Sequence, residues 1–179
     1  MNTSRPLLSS IDVPQADDIW AVVDAVAGVQ AGHTTADGLA AYLDDRTPRQ
    51  GNYYMQAARI LGFLRPDRRT GELRVSALGS LLLESDKERQ RALLRRAALE
   101  CPPARELCYA LIASGEGLSR EALASWAQAL APLAPSTAAR RAQTLVSWLR
   151  CLGIASWRDG QLIYHGPPLP KKESPPSGE

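Results

Sequence analysis

The plan of residues 35–75 returns at residues 119–164, and that repetition constrains the fold more than any other feature of the chain. Each copy reads as a helix, a turn, a second helix and a short polar hairpin. Thr35 matches Ser119, each a hydroxyl placed to accept from an unpaired backbone N–H at a helix start. Gly62 matches Gly153, each just past a helix, where glycine takes the left-handed conformation that ends it. Gly71 matches Gly160, each in a polar turn between short β-rich pieces, the later ones being 71–75 and 160–164. The copies differ by an insertion around residues 130–134, in a surface turn where insertions are tolerated.

A chain of 179 residues accommodates two such small units. The reading is a flexible arm at 1–14, a first unit at 15–83, a linker helix at 84–103, a second unit at 104–165 and a disordered tail at 166–179, rich in proline. Periodicity predicts a helix from about Gln15 to Gln30, with Ile19, Val22, Val23, Val26 and Val29 on one face. The next helix begins at Thr35 and buries Leu39, Tyr42 and Leu43. Pro48 suits the first turn of the third, whose inner face is Tyr54, Ala58 and Leu61. Ser85 and Glu88 have capping-box spacing ahead of the linker helix, and Pro102 with Pro103 breaks it. In the last helix Ala138, Ala142, Leu145, Leu149 and Leu152 face in, while Arg140, Thr144 and Ser147 face out. The fold class is therefore mainly α with short β-hairpins, two units in tandem joined by a helix.

Residues 35–40 opening a helix, 53–62 in the next, and the hairpin exit Leu73-Arg74-Val75-Ser76-Ala77-Leu78-Gly79 resemble the winged helix-turn-helix superfamily. More narrowly, the layout is similar to winged-helix modules that accompany bacterial restriction endonucleases. The resemblance implies two winged-helix units, each with its third helix as a candidate recognition helix.

Aligned through their closing glycines, the third helices pair Arg49 with Arg140, Gln50 with Arg141, Asn52 with Gln143, Tyr53 with Thr144 and Gln56 with Ser147. A helix entering a major groove uses Arg for guanine, Asn or Gln for adenine, and hydroxyls for phosphate. A solvated face of no function is the competing reading, but such faces are rich in Glu and Lys. No acid lies between Thr47 and Gly62, nor between Pro135 and Gly153. The first hairpin adds Arg65, Arg68, Arg69 and Arg74 against Asp67 and Glu72; the second has Arg158 alone, beside Trp157 and Asp159. Arg89, Arg91, Arg95 and Arg96 are flanked by acids and read as a solvated linker face. The net charge of +2 is only mildly basic, so a nucleic-acid reading depends on where charge sits. A GC-rich genome would also favour arginine over lysine.

Cys101, Cys108 and Cys151 form no CxxC pair, which points to reduced thiols and no metal site. There is no glycine loop for phosphates, HExxH, GxSxG or nuclease-like acidic run, so neither catalysis nor a cofactor is expected. No apolar run approaches the ~20 residues of a membrane helix, and residues 1–14 lack a signal pattern. The expectation is a cytoplasmic, non-catalytic protein that binds double-stranded DNA, as a regulator or as the DNA-engaging subunit of a restriction or defence system. Its expected contacts are Arg49, Gln50, Tyr53, Gln56, Arg68, Arg69, Arg140, Arg141 and Thr144. The alternative is a winged-helix docking or dimerisation module, as a homodimer or within a larger complex, with Tyr53, Tyr54 and Trp148 as anchors. RNA binding is a third reading.

Overall fold

Helix caps and stops divide the chain where its local chemistry dictates. A computed structural model describes residues 8–44 and 46–170. In order these form α1 (Ile19–Gln30), α2 (Ala36–Tyr42), α3 (Pro48–Ile60), β1 (Leu64–Pro66), β2 (Leu73–Val75), α4 (Ala77–Leu83), α5 (Lys87–Glu100), α6 (Pro102–Ser114), α7 (Arg120–Leu130), α8 (Pro135–Cys151), β3 (Ala155–Arg158) and β4 (Gln161–Tyr164). The protein is mainly helical, with two small antiparallel hairpins; α1–α3 precede the first, and α4–α8 lie between it and the second. No helix among the described residues is long and apolar enough to cross a membrane.

The repeated landmarks hold in atomic detail. Thr35 Oγ1 accepts from Gly38 N at 3.1 Å, and Ser119 Oγ from Ala122 N at 3.2 Å. Past α3, Phe63 N donates to Ala58 O and Gly62 N to Arg59 O, both at 2.9 Å. Past α8, Ile154 N donates to Leu149 O and Gly153 N to Arg150 O. These are matching Schellman closures, with the glycines at φ +80° and +66°. Gly51 is required for a different reason: a Cβ there would lie 2.4 Å from Ala36 O, so α3 crosses α2 at backbone contact.

Some local expectations change. α1 starts at Ile19, capped by the Asp18 carboxylate, rather than at Gln15. The cap of α5 is Asp86, which accepts from Arg89 N at 2.8 Å; Ser85 Oγ instead donates back to Leu81 O. Tyr42 is 42% exposed, not inward, and its ring centroid lies 5.0 Å from that of His33.

One core runs through both halves. α1 is buried nearly all round and packs on α2, α3, α4, β2 and α8. α5 is integrated into the body, packing on α4, α6 and α8, with the Lys87 ammonium 4.8 Å from the Trp20 ring centroid. Of the arginines on α5, only Arg96 has an ion-pair partner among the described residues, Glu100 at 2.8 Å.

The expected arm and tail have a defined course within the described residues. Leu8 N donates to Leu130 O at 3.0 Å, and Val13 and Ala16 are each 2% exposed. The chain is held here because side chains of α3 and α8 bind its carbonyls. At the other end Tyr164 donates to Pro167 O at 2.6 Å and Tyr109 to Pro170 O at 2.7 Å, while Leu169 packs on the core. Residues 1–7 and 171–179, which complete the expected arm and tail, lie outside the described residues.

Candidate nucleic-acid interface

The third helix of the first half starts with a closed capping box. Gln50 N donates to Thr47 Oγ1, and Gln50 Oε1 accepts from Thr47 N at 3.0 Å. Gln50 is thus exposed but anchored at its oxygen, leaving its amide nitrogen as the outward donor. Arg49, one residue before it, is exposed; its Nε donates to the Tyr53 hydroxyl one turn on, and its guanidinium carbon lies 5.5 Å from that ring's centroid. Tyr54 points the other way, is 2% exposed, and accepts from Arg46 Nη1 at 2.7 Å. Gln56 Nε2 donates to Ile11 O at 3.1 Å, so this expected base reader holds the N-terminal segment instead.

α8 departs further from the expected recognition helix. Arg140 is exposed, with Nη2 3.5 Å from Gln15 Oε1. Arg141 is only 9% exposed and donates through Nη1 to Ser10 O and, at 2.7 Å, to Val13 O. Burial, with the neighbouring Arg140 charge, holds its pKa below the ordinary arginine value. Thr144 is 2% exposed and returns its hydroxyl to Arg140 O at 3.3 Å. Trp148 is fully buried, donating to Ala16 O at 2.8 Å. The expectation that Arg141 and Thr144 face a groove is therefore corrected: residues 8–17 run across that face of α8 and cover it. Tyr54 and Trp148 are likewise removed as docking anchors by burial.

The first hairpin keeps its charge outside. Asp67 accepts from Arg69 N at 2.9 Å and Thr70 N at 3.0 Å, which shapes the tip. Those two backbone bonds hold its carboxyl below the usual aspartate range, with Arg74 assisting. Arg74 Nε lies 3.2 Å from Asp67 Oδ2, while Arg65, Arg68 and Arg69 are exposed without an ion-pair partner among the described residues. Arg65 and Arg74 face each other across the ladder. In the second hairpin the Arg120 guanidinium lies 5.1 Å over the Trp157 ring, which also packs against the core.

Two clefts join these parts. One, of about 240 Å³, lies between α3 and α8 and is bordered by Gln50, Tyr53, Arg140 and Gln143. The other, of about 460 Å³, lies between α3, the first hairpin and the N-terminal segment. Tyr53 and Gln15 border both. The structure thus brings Gln50, Tyr53 and Arg140 to one cleft, next to Arg49, and commits Gln56 Nε2, Arg141 Nη1 and the Thr144 hydroxyl to backbone carbonyls. Sequence reasoning left out Arg59 and Gln15. Arg59 was legible, since Asn52, Gln56 and Arg59 share one helical face. Gln15 carried no signal, because it reads as the start of the first helix and nothing local marks its approach to the distant Arg140.

Burial pushes the Cys101 and Cys108 thiols up to about 11 and about 12, which favours the neutral thiol over the reactive thiolate.

This mainly α protein, in which α4 and α5 join two three-helix-and-hairpin segments, belongs to a family described as a domain of unknown function (DUF7226). The family model matches residues 22–153, from α1 past the end of α8. No curated protein and no solved structure matches the chain.

Proposed function

We propose that this protein binds double-stranded DNA without catalysis, through two winged-helix units of which the first makes the contact. It would act in the cytoplasm, as a regulator or as the DNA-engaging subunit of a restriction or defence system. The observation that carries the reading is the first hairpin and the surface it adjoins. Arg65, Arg68 and Arg69 are exposed and unpaired among the described residues, and Arg65 stands opposite Arg74. Like charges directly across a ladder are destabilising, and phosphate oxygens relieve that repulsion. From the hairpin the surface continues through Tyr53 to Gln50, Arg49 and Arg140.

Arg68 and Arg69 take backbone phosphates in this reading. Arg49, Gln50 and Tyr53 address the groove with the first turns of α3, and Arg140 supplies a flanking contact. Gln56, Arg141 and Thr144 serve the fold. Burial of Tyr54 and Trp148 removes two of the three aromatic anchors that the docking alternative needs. The test is a salt titration of duplex binding by the full chain. Affinity should fall linearly, log against log, as salt rises. Absence of any salt-dependent duplex binding at low ionic strength defeats the proposal.

A further inference from the structure

The larger cleft, about 460 Å³ between α3, the first hairpin and the N-terminal segment, has a composition that DNA contact does not explain. Its volume falls in the range of small-molecule sites. Ile11, Val13, Pro66 and Leu73 give it apolar walls, and Tyr53 adds an aromatic face. Two arginines, Arg59 and Arg141, line it, and no carboxylate does.

Both arginines carry a buried Nε with no hydrogen-bond partner. Buried polar groups are nearly always paired, so each unpaired one asks for a partner. The Arg59 guanidinium has neither a side-chain hydrogen bond nor an ion pair among the described residues. Arg141 is bonded through Nη1, but only to the neutral carbonyls of Ser10 and Val13, so its charge stays uncompensated. The half-buried Arg59 and the buried Arg141 thus put two uncompensated cations on an apolar cleft, an arrangement that an anion with its own apolar body would stabilise.

We propose that this cleft binds a small organic anion, a phosphate or carboxylate on an aromatic or aliphatic body, with Arg59 taking the oxyanion, Arg141 adding its charge and Tyr53 packing on the body. The inference does not rest on DNA binding. Arg59 lies on α3 beside the hairpin, so a ligand there would touch the elements assigned to DNA.

Calorimetric titration of the full chain with phenyl phosphate, at low ionic strength, tests this. Inorganic phosphate and phenol each lack one of the two recognised features and should bind roughly ten-fold more weakly or worse. Arg59→Gln should weaken phenyl phosphate by roughly ten-fold or more, the size of a lost charged hydrogen bond. Asn52→Glu, on the exposed lip of the same cleft, should also weaken it by adding a negative charge, and serves if Arg59→Gln does not fold. Failure of phenyl phosphate to bind, binding no tighter than inorganic phosphate, or binding untouched in the folded variants would overturn the proposal. A parallel duplex titration separates the sources of the oxyanion. If phenyl phosphate does not bind but Arg59→Gln lowers the salt slope by about 1, Arg59 contacts the DNA backbone and the small-anion site is lost. Phenyl phosphate binding in a chain that ignores duplex upholds this site and defeats the DNA proposal instead.

Discussion

The two halves share a plan and differ in what lies over the third helix. In the first half, the opening turns of α3 stay open, with Arg49, Gln50 and Asn52 exposed. In the second, α8 keeps Arg140 and Gln143 exposed, but Ala142, Leu145 and Leu149 meet the core, Arg141 and Trp148 bond to residues 8–17, and Thr144 is buried. The hairpins differ in parallel. The first ends in an arginine-rich tip, whereas the second gains an additional antiparallel bridge, Leu118 with Leu162, through hydrogen bonds of 3.1 and 2.9 Å. A repeated scaffold need not repeat its surface. Both third helices hold the N-terminal segment, α3 through Gln56 late in the helix and α8 through Arg141 and Trp148, and the opening turn of α3 keeps its polar face.

The sharpest way to break this comparison is to ask whether the halves are separable. Leu145 is fully buried in the common core, so Leu145→Ala should destabilise by roughly 2–5 kcal/mol. A thermal melt should show one transition, lowered as a whole. Two resolved transitions, only one of them shifted, would show that the halves fold independently.

Next comes the role assigned to Arg141. Arg141→Ala leaves the Ser10 and Val13 carbonyls without their donor, at roughly 1–3 kcal/mol, and should loosen residues 8–17. Hydrogen exchange at the Leu8 amide should accelerate while duplex affinity is kept. Loss of site-specific DNA affinity with unchanged stability would restore Arg141 as a base reader.

The hairpins themselves offer a third contrast. Removing both tip charges with Arg68→Ala and Arg69→Ala should lower the salt slope of duplex binding by roughly 2. Arg158→Ala, on the second hairpin, should leave it unchanged. Equal effects would place both hairpins on DNA.

The smallest effect is a titration. Asp67 is held below the usual aspartate range by the Arg69 and Thr70 amides, so its folded pKa is depressed. The contribution to stability is therefore present above the unfolded pKa and is lost as pH falls through the folded one. NMR should show the Arg69 and Thr70 amide signals following Asp67 at a pH below the ordinary carboxylate value. A titration at or above that value would mean that the tip is not held in this way.

How legible all this is from the chain depends on distance along it. Caps at Thr35 and Ser119, stops at Gly62 and Gly153, the hairpin turns and the apolar faces of α1 and α8 rest on neighbours within about one or two turns, and each could be read directly. The exposed candidates Arg49, Gln50, Arg68, Arg69 and Arg140 were legible for the same reason: polar side chains on a face with nothing local to cover them. Arg141 and Thr144 were misread by that same rule. The partners of Arg141, Ser10 and Val13, stand 131 and 128 residues from it in sequence, while Thr144 is buried and bonds the Arg140 carbonyl one turn back. A polar face reads as open to solvent until a distant segment crosses it, and only the tertiary structure decides whether one does. Periodicity places a donor on a helix face; whether it meets a phosphate or a backbone carbonyl depends on long-range packing that no local pattern encodes.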